Sequence, residues 1–206
     1  MELAPLIPAF VTLLVVIDPI GLAPMFVALT KGANAAHRRA VALRACIIGA
    51  ILLTLFGLFG EAVLEFIGIT MPAFRIAGGI LLFITALDML FERRSARRRD
   101  QSANADDPSV FPLATPLIAG PGAIATMILL TGQANDPLDI LAVHLVMLTV
   151  IILVMAFFLA AGLIERAIGD TGINVITRLL GMLLAALSVQ FVLDGLASFG
   201  LATGLG

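Results

Sequence analysis

A carboxylate, two prolines and a glycine stand together in Asp18-Pro19-Ile20-Gly21-Leu22-Ala23-Pro24, inside an apolar run from Pro5 to Thr30. A second proline-glycine cluster, Thr115-Pro116-Leu117-Ile118-Ala119-Gly120-Pro121-Gly122, lies in another apolar run. A buried Asp binds cations, carries a proton or caps a helix; each proline removes a backbone donor and frees a carbonyl one turn earlier. Pro19, Pro24 and Pro121 would free the carbonyls of Val15, Ile20 and Leu117, and half-helices starting near Gly21 and Gly122 would offer unpaired N–H groups with partial positive charge. Carbonyls and a carboxylate beside exposed amides suit a zwitterion. Its ammonium would meet Asp18 or the freed carbonyls, and its carboxylate the half-helix N-termini. The glycines leave room for close backbone approach.

The elements that must hold these groups are membrane helices. Hydrophobic residues make up 61% of the 206, charged residues 13%, and the mean hydropathy is +1.13. That is more apolar surface than one soluble core can hide. Strand alternation is absent and the apolar runs approach or exceed about 18 residues, which reads as helices and argues against a β-barrel. In the first run Asp18 is 13 residues from one end and 12 from the other, near the midplane. An ionised Asp there costs at least about 2.5 to 3.5 kcal/mol, so the fold must use or satisfy it.

Six spans are expected: Pro5 to Thr30, about Val41 to Gly60, Met71 to Phe91, Pro112 to Thr131, Pro137 to Leu163, and Arg178 to Phe199, with a mixed loop from Glu165 to Thr177. Alternate loops hold ten Lys and Arg between Lys31 and Arg166, and the other loops between spans hold none. By the positive-inside rule the basic loops are cytoplasmic and both termini lie outside. The run Arg93 to Arg99 serves this topology signal or a lipid-headgroup or partner contact. Met1-Glu2-Leu3 lacks the basic start of a cleaved signal peptide. With no Trp or Tyr, Phe and the charged flanks set helix depth.

The two broken runs suggest duplication. Aligning Thr30 with Thr131 also matches Gly21 with Gly122 and Leu29 with Leu130, while a shift of one residue matches Pro19 with Pro121. Arg75-x-x-Gly78 recurs about 103 residues later as Arg178-x-x-Gly181. Three crossings per half is odd, so the halves run oppositely: an inverted 3+3 repeat of six transmembrane helices with discontinuous first and fourth helices. One membrane domain, residues 1–206, would comprise a first repeat (1–91), a cytoplasmic linker (92–110) and a second repeat (111–206). A two-fold axis in the membrane plane would bring the breaks together at mid-depth.

The candidate substrate-binding residues are therefore Asp18, Pro19, Gly21, Pro24, Gly120, Pro121 and Gly122. Asp18 has two readings that can coexist: a cap on the following half-helix, or a site for substrate ammonium or a coupling cation. Arg75, Asp88, Arg178 and Asp194 either solvate at the interfaces or act in gating and coupling. Gln190, Thr85 and Ser188 default to helix–helix hydrogen bonding. His37 and His144 lack metal-ligand spacing, and Cys46 reads as a small core residue. No G-x-S-x-G or H-E-x-x-H is present, which argues against an intramembrane hydrolase. A net charge of -2 points to no nucleic-acid partner.

In DPIGLAPMF (18–26), FRIAGGILLFITALDML (74–90) and TPLIAGPGAI (115–124) the chain resembles the MarC family of bacterial inner-membrane proteins, also grouped as the neutral amino acid transporter (NAAT) family. The resemblance spans nearly the whole chain. It implies a small inner-membrane transporter, not an enzyme, for glycine, alanine and other small neutral amino acids, with outward export the common proposal. No cofactor is implied beyond a coupling H+ or Na+, and the short linker after the third span leaves no extramembrane regulatory domain. The alternatives are a passive small-solute channel and a non-transporting scaffold, and a homo-oligomer is compatible with all three.

Overall fold

A computed structural model describes residues 6–91, 107–134 and 136–199. Among the described residues the only regular secondary structure is helical, with no strand. In order they form α1 (Leu6–Ile17), α2 (Pro19–Leu29), α3 (Ala35–Phe66), α4 (Met71–Leu90), α5 (Ser109–Ile118) and α6 (Pro121–Thr131). Then come α7 (Pro137–Gly169) and α8 (Thr171–Ser198). Among the described residues, five stretches are long and apolar enough to cross a membrane, α1 and α2 counting as one. The pair α5 and α6, bent by 53° at its break, makes a sixth if taken as one span.

Helix starts follow from side-chain caps. Asn34 accepts from the His37 N–H at 2.8 Å, and Asp136 from the Asp139 N–H at 2.8 Å. Thr70 accepts more weakly from the Ala73 N–H at 3.4 Å. Each satisfies one of the orphan donors of a first turn. The loop expected from Glu165 to Thr177 is instead helical, interrupted at Gly169, whose φ of 67° and ψ of 168° suit a residue without Cβ. Helix formation therefore wins over the mixed polarity of this stretch, and the fifth and sixth spans are correspondingly longer. α3 likewise begins six residues before Val41 and ends six after Gly60. Ser109 and Val110, expected in the linker, open α5, while 92–106 of that linker lie outside the described residues.

The segments that carry the breaks are deeply buried. α6 is buried along nearly its whole length, from Gly122 to Thr131. The span Leu6–Leu29 is the most buried of the five, at 56% over its most apolar window. Irregular backbone at membrane depth is tolerated only inside protein or along a polar cavity, so the breaks are surrounded by regular helices. Glycines set the spacing. Gly49, Gly57 and Gly60 of α3 receive Ile118, Met127 with His144, and Ile128. On α4, Gly79 presses on the Ser188 carbonyl, which lies 2.8 Å from where a Cβ would stand. On α8, Gly181 lies against Met89 and Ala86, and Gly195 against Pro72 and Ile76. As numbers rise along α4 they fall along α8, so the two helices pack antiparallel through small residues, a familiar membrane seam. At one end of α2 the Phe26 and Phe158 rings stack, with centroids 4.6 Å apart, and the Arg38 guanidinium sits 5.6 Å from the Phe26 centroid.

Candidate functional site

Asp18 alone separates α1 from α2. Its φ of 57° and ψ of 66° are left-handed, a region Asp tolerates because its short polar side chain bonds locally. The ladder still runs through it, since the Asp18 N–H donates to Leu14 at 2.9 Å and its carbonyl accepts from Leu22 at 3.0 Å. Oδ1 accepts from the Gly21 N–H at 3.1 Å, which makes Asp18 the N-cap of α2. The residue is fully buried. A Cβ on residue 21 would run into this carboxylate and would stand 3.1 Å from Thr177 Oγ1. A side chain at 21 would thus have to displace the capping carboxylate. Pro24 does not interrupt α2, which stays helical to Leu29.

The second break is built differently. α5 is wide, with the Ala119 N–H reaching back five residues to Ala114 at 2.8 Å, and non-helical backbone at Phe111, Thr115 and Pro116. α6 then begins at Pro121 with Gly120 as N-cap and no side-chain cap bond. Gly120, Gly122 and Ala123 are buried. This helix N-terminus keeps the partial positive charge that Asp18 offsets at α2. Both half-helices therefore start two residues earlier or one earlier than the glycines suggested, at Pro19 and Pro121.

The two breaks meet. A Cβ on Gly122 would stand 3.2 Å from Val16 Cγ1, two residues before Asp18, and 3.2 Å from Leu82 Cδ2. Thr85 Oγ1 is 3.6 Å from the same point. Pro19 is buried beside Asp18, Gly21 and Pro24 are half-buried, and Pro121 is exposed. The four charged candidates lie apart from this centre, at the ends of the α4–α8 seam. Asp88 and Arg178 flank the contact of Gly181 with Met89; Arg75 and Asp194 flank that of Gly195 with Ile76. Asp194 is exposed and accepts from Gln190 Nε2 at 2.7 Å. Ser188 and Thr85 donate to carbonyls of their own helices, at Ala185 and Leu81.

Thr177 is the residue that sequence reasoning passed over. It was assigned to a loop, yet it sits in α8 with Oγ1 fully buried against Gly21 and no hydrogen-bond partner. Its position next to Arg178 of the repeated Arg-x-x-Gly pattern was the available signal. Chemically the arrangement offers a buried carboxylate and a hydroxyl at one break, and an uncapped, positively polarised helix start at the other.

These features define an all-helical integral membrane protein with polar groups gathered at two internal helix breaks. The chain belongs to the MarC family: the family model for MarC family integral membrane proteins matches residues 3–199. It is similar to a UPF0056 membrane protein of Archaeoglobus fulgidus, 40% identical over 92% of this chain and 91% of the relative. The UPF0056 membrane protein YvbG of Bacillus subtilis is 36% identical over 93% of each chain. The UPF0056 inner membrane protein YhgN of Escherichia coli K12 is 33% identical over 93% of this chain and 95% of its own. No solved structure matches.

Proposed function

We propose that this protein is a secondary transporter of small neutral amino acids such as glycine and alanine, working by alternating access around the paired breaks. The observation that carries the reading is the contact of Val16 with Gly122, which sets a carboxylate-capped helix start beside an uncapped one. A zwitterion fits such a pair: ammonium toward Asp18 and Thr177, carboxylate toward the first N–H groups of α6. Val16, Leu82 and Thr85 close around Gly122, which favours substrates with small side chains.

The antiparallel seam of α4 and α8 supports the inverted 3+3 repeat, because equivalent helices of oppositely oriented halves meet across a two-fold axis in that way. Such an axis gives alternating access its two equivalent arrangements. The basic residues Lys31, Arg38, Arg39, Arg44 and Arg166 favour a cytoplasmic placement of their ends of the helices, with periplasmic termini, in the inner membrane. Asp18 is the group through which H+ or Na+ coupling would act, in an exporting direction.

The test is exchange of labelled glycine or alanine by the purified protein in liposomes. Saturable flux stimulated by substrate on the far side is expected. A pore would give flux without saturation, and no flux across a panel of amino acids overturns the reading.

A further inference from the structure

Arg75 stands near the start of α4, in its second turn. The buried stripe of α4 comprises Gly78, Gly79, Leu82, Ala86 and Met89, and Arg75 continues it by one turn toward the helix start. Its side chain is half-buried, and its Nε is fully buried with no hydrogen-bond partner. Among the described residues no carboxylate forms an ion pair with it. The acid at the same level of α8, Asp194, is exposed and engaged by Gln190. α6, which packs Leu129 and Ala125 against Gly78 and its end against Met71, carries no charged residue.

The position is directional. Leu82, which touches the Gly122 break, is seven residues further along the same stripe, about 10 Å at 1.5 Å per residue. The guanidinium thus lies on the same face of α4 as the Leu82 contact with the Gly122 break, nearer the start of the helix. Its planar fork of N–H donors matches an oxyanion in two-point fashion, which a lysine ammonium does not.

We propose that Arg75 is an oxyanion site at the mouth of the pathway, receiving a carboxylate or phosphate group before the substrate reaches the breaks. The inference rests on the transporter reading when the oxyanion is the α-carboxylate of an amino acid. It stands apart from that reading when the oxyanion is a phospholipid headgroup, which offers the same chemistry to an arginine near a helix end.

The experiment compares wild type with Arg75→Gln and Arg75→Lys in phosphatidylcholine vesicles with and without phosphatidylglycerol. Labelled alanine exchange is measured, and phosphatidylglycerol retained by the purified protein is quantified by mass spectrometry. For a substrate carboxylate, Arg75→Gln raises KM about tenfold or more at nearly unchanged kcat, Arg75→Lys recovers part of the loss, and lipid retention does not move. For a headgroup, KM is unchanged and retained phosphatidylglycerol is lost in Arg75→Gln. Unchanged KM and unchanged retention in a folded Arg75→Gln protein overturn the site. If wild type exchanges no amino acid, the transporter reading fails and lipid retention alone decides the site: its loss upholds it and its persistence overturns it. Should Arg75→Gln not fold, Arg75→Lys decides by the same two readouts, because it keeps the charge and removes the fork.

Discussion

The Gly21 N–H donates to Asp18 Oδ1 at 3.1 Å, and no side chain can be placed on residue 21 without striking that same carboxylate. The cap and the glycine are one device: the aspartate starts α2, and the missing Cβ lets it fold back over the first turn.

Gly21→Ala is therefore expected to displace the Asp18 carboxylate rather than merely stiffen the helix. Loss of a cap costs about 0.5 to 2 kcal/mol, with further strain from the crowded turn. A lower thermal unfolding midpoint in detergent, accompanied by loss of exchange, is the expected result. An unshifted midpoint would mean that the carboxylate relocates freely.

Asp18→Asn separates capping from charge. Asn caps as well as Asp and tolerates left-handed backbone, so stability should change by no more than a few tenths of a kcal/mol. If the charge binds the substrate ammonium or a coupling cation, exchange falls at least about tenfold while the protein stays folded. Full exchange by Asp18→Asn at every pH would remove the carboxylate from coupling.

Thr177→Val keeps the volume and shape of the side chain and removes the hydroxyl that lies unpartnered against Gly21. Stability should hold or rise slightly, because a buried hydroxyl without a partner is costly. A rise in KM for glycine in liposome exchange would identify Thr177 as a ligand; unchanged kinetics would leave it a packing residue.

Gly79→Val attacks the α4–α8 seam where a Cβ would stand 2.8 Å from the Ser188 carbonyl, a backbone atom that cannot rotate away. Overpacking of this kind costs about 1 to 3 kcal/mol. Thermal melting should show it directly, whereas the same change at Gly162, which faces open space, should be nearly silent.

Asp107, ahead of α5, is held below the usual carboxylate range, chiefly by the Ser109 hydroxyl at 2.6 Å and then by its backbone N–H, with Arg44 at 3.8 Å adding to these. A depressed pKa contributes stability that is present above the ordinary carboxylate pKa and is lost as pH falls through the lowered one. The group is exposed and solvent-screened, so the effect is small, about 0 to 1 kcal/mol. Carboxyl NMR should show Asp107 titrating at higher pH in Ser109→Ala than in wild type.

Much of the fold was legible in one dimension because lipid imposes a simple code. Apolar runs of the required length mark spans, and the order of helices along the chain follows. Helix ends were less legible. Glu165 to Thr177 is polar enough to read as a loop, but backbone hydrogen bonding keeps all of it helical apart from the break at Gly169. Pro24 carried the same signal as Pro19 and yet sits in unbroken helix, since a proline in the second turn removes one bond that its neighbours can absorb.

What the sequence determined by itself was the composition of the site: a carboxylate, prolines and glycines in two membrane runs, because such groups are too costly in hydrocarbon to be there without a use or a partner. Only the tertiary structure decided which of them meet. Val16 against Gly122 and Thr177 over Gly21 are contacts between helices far apart in the chain, and the placing of Arg75 on a buried stripe, with no acid paired to it among the described residues, likewise depends on packing. Helix packing is set by side-chain shape at glycine seams, and that information appears only when the seams close.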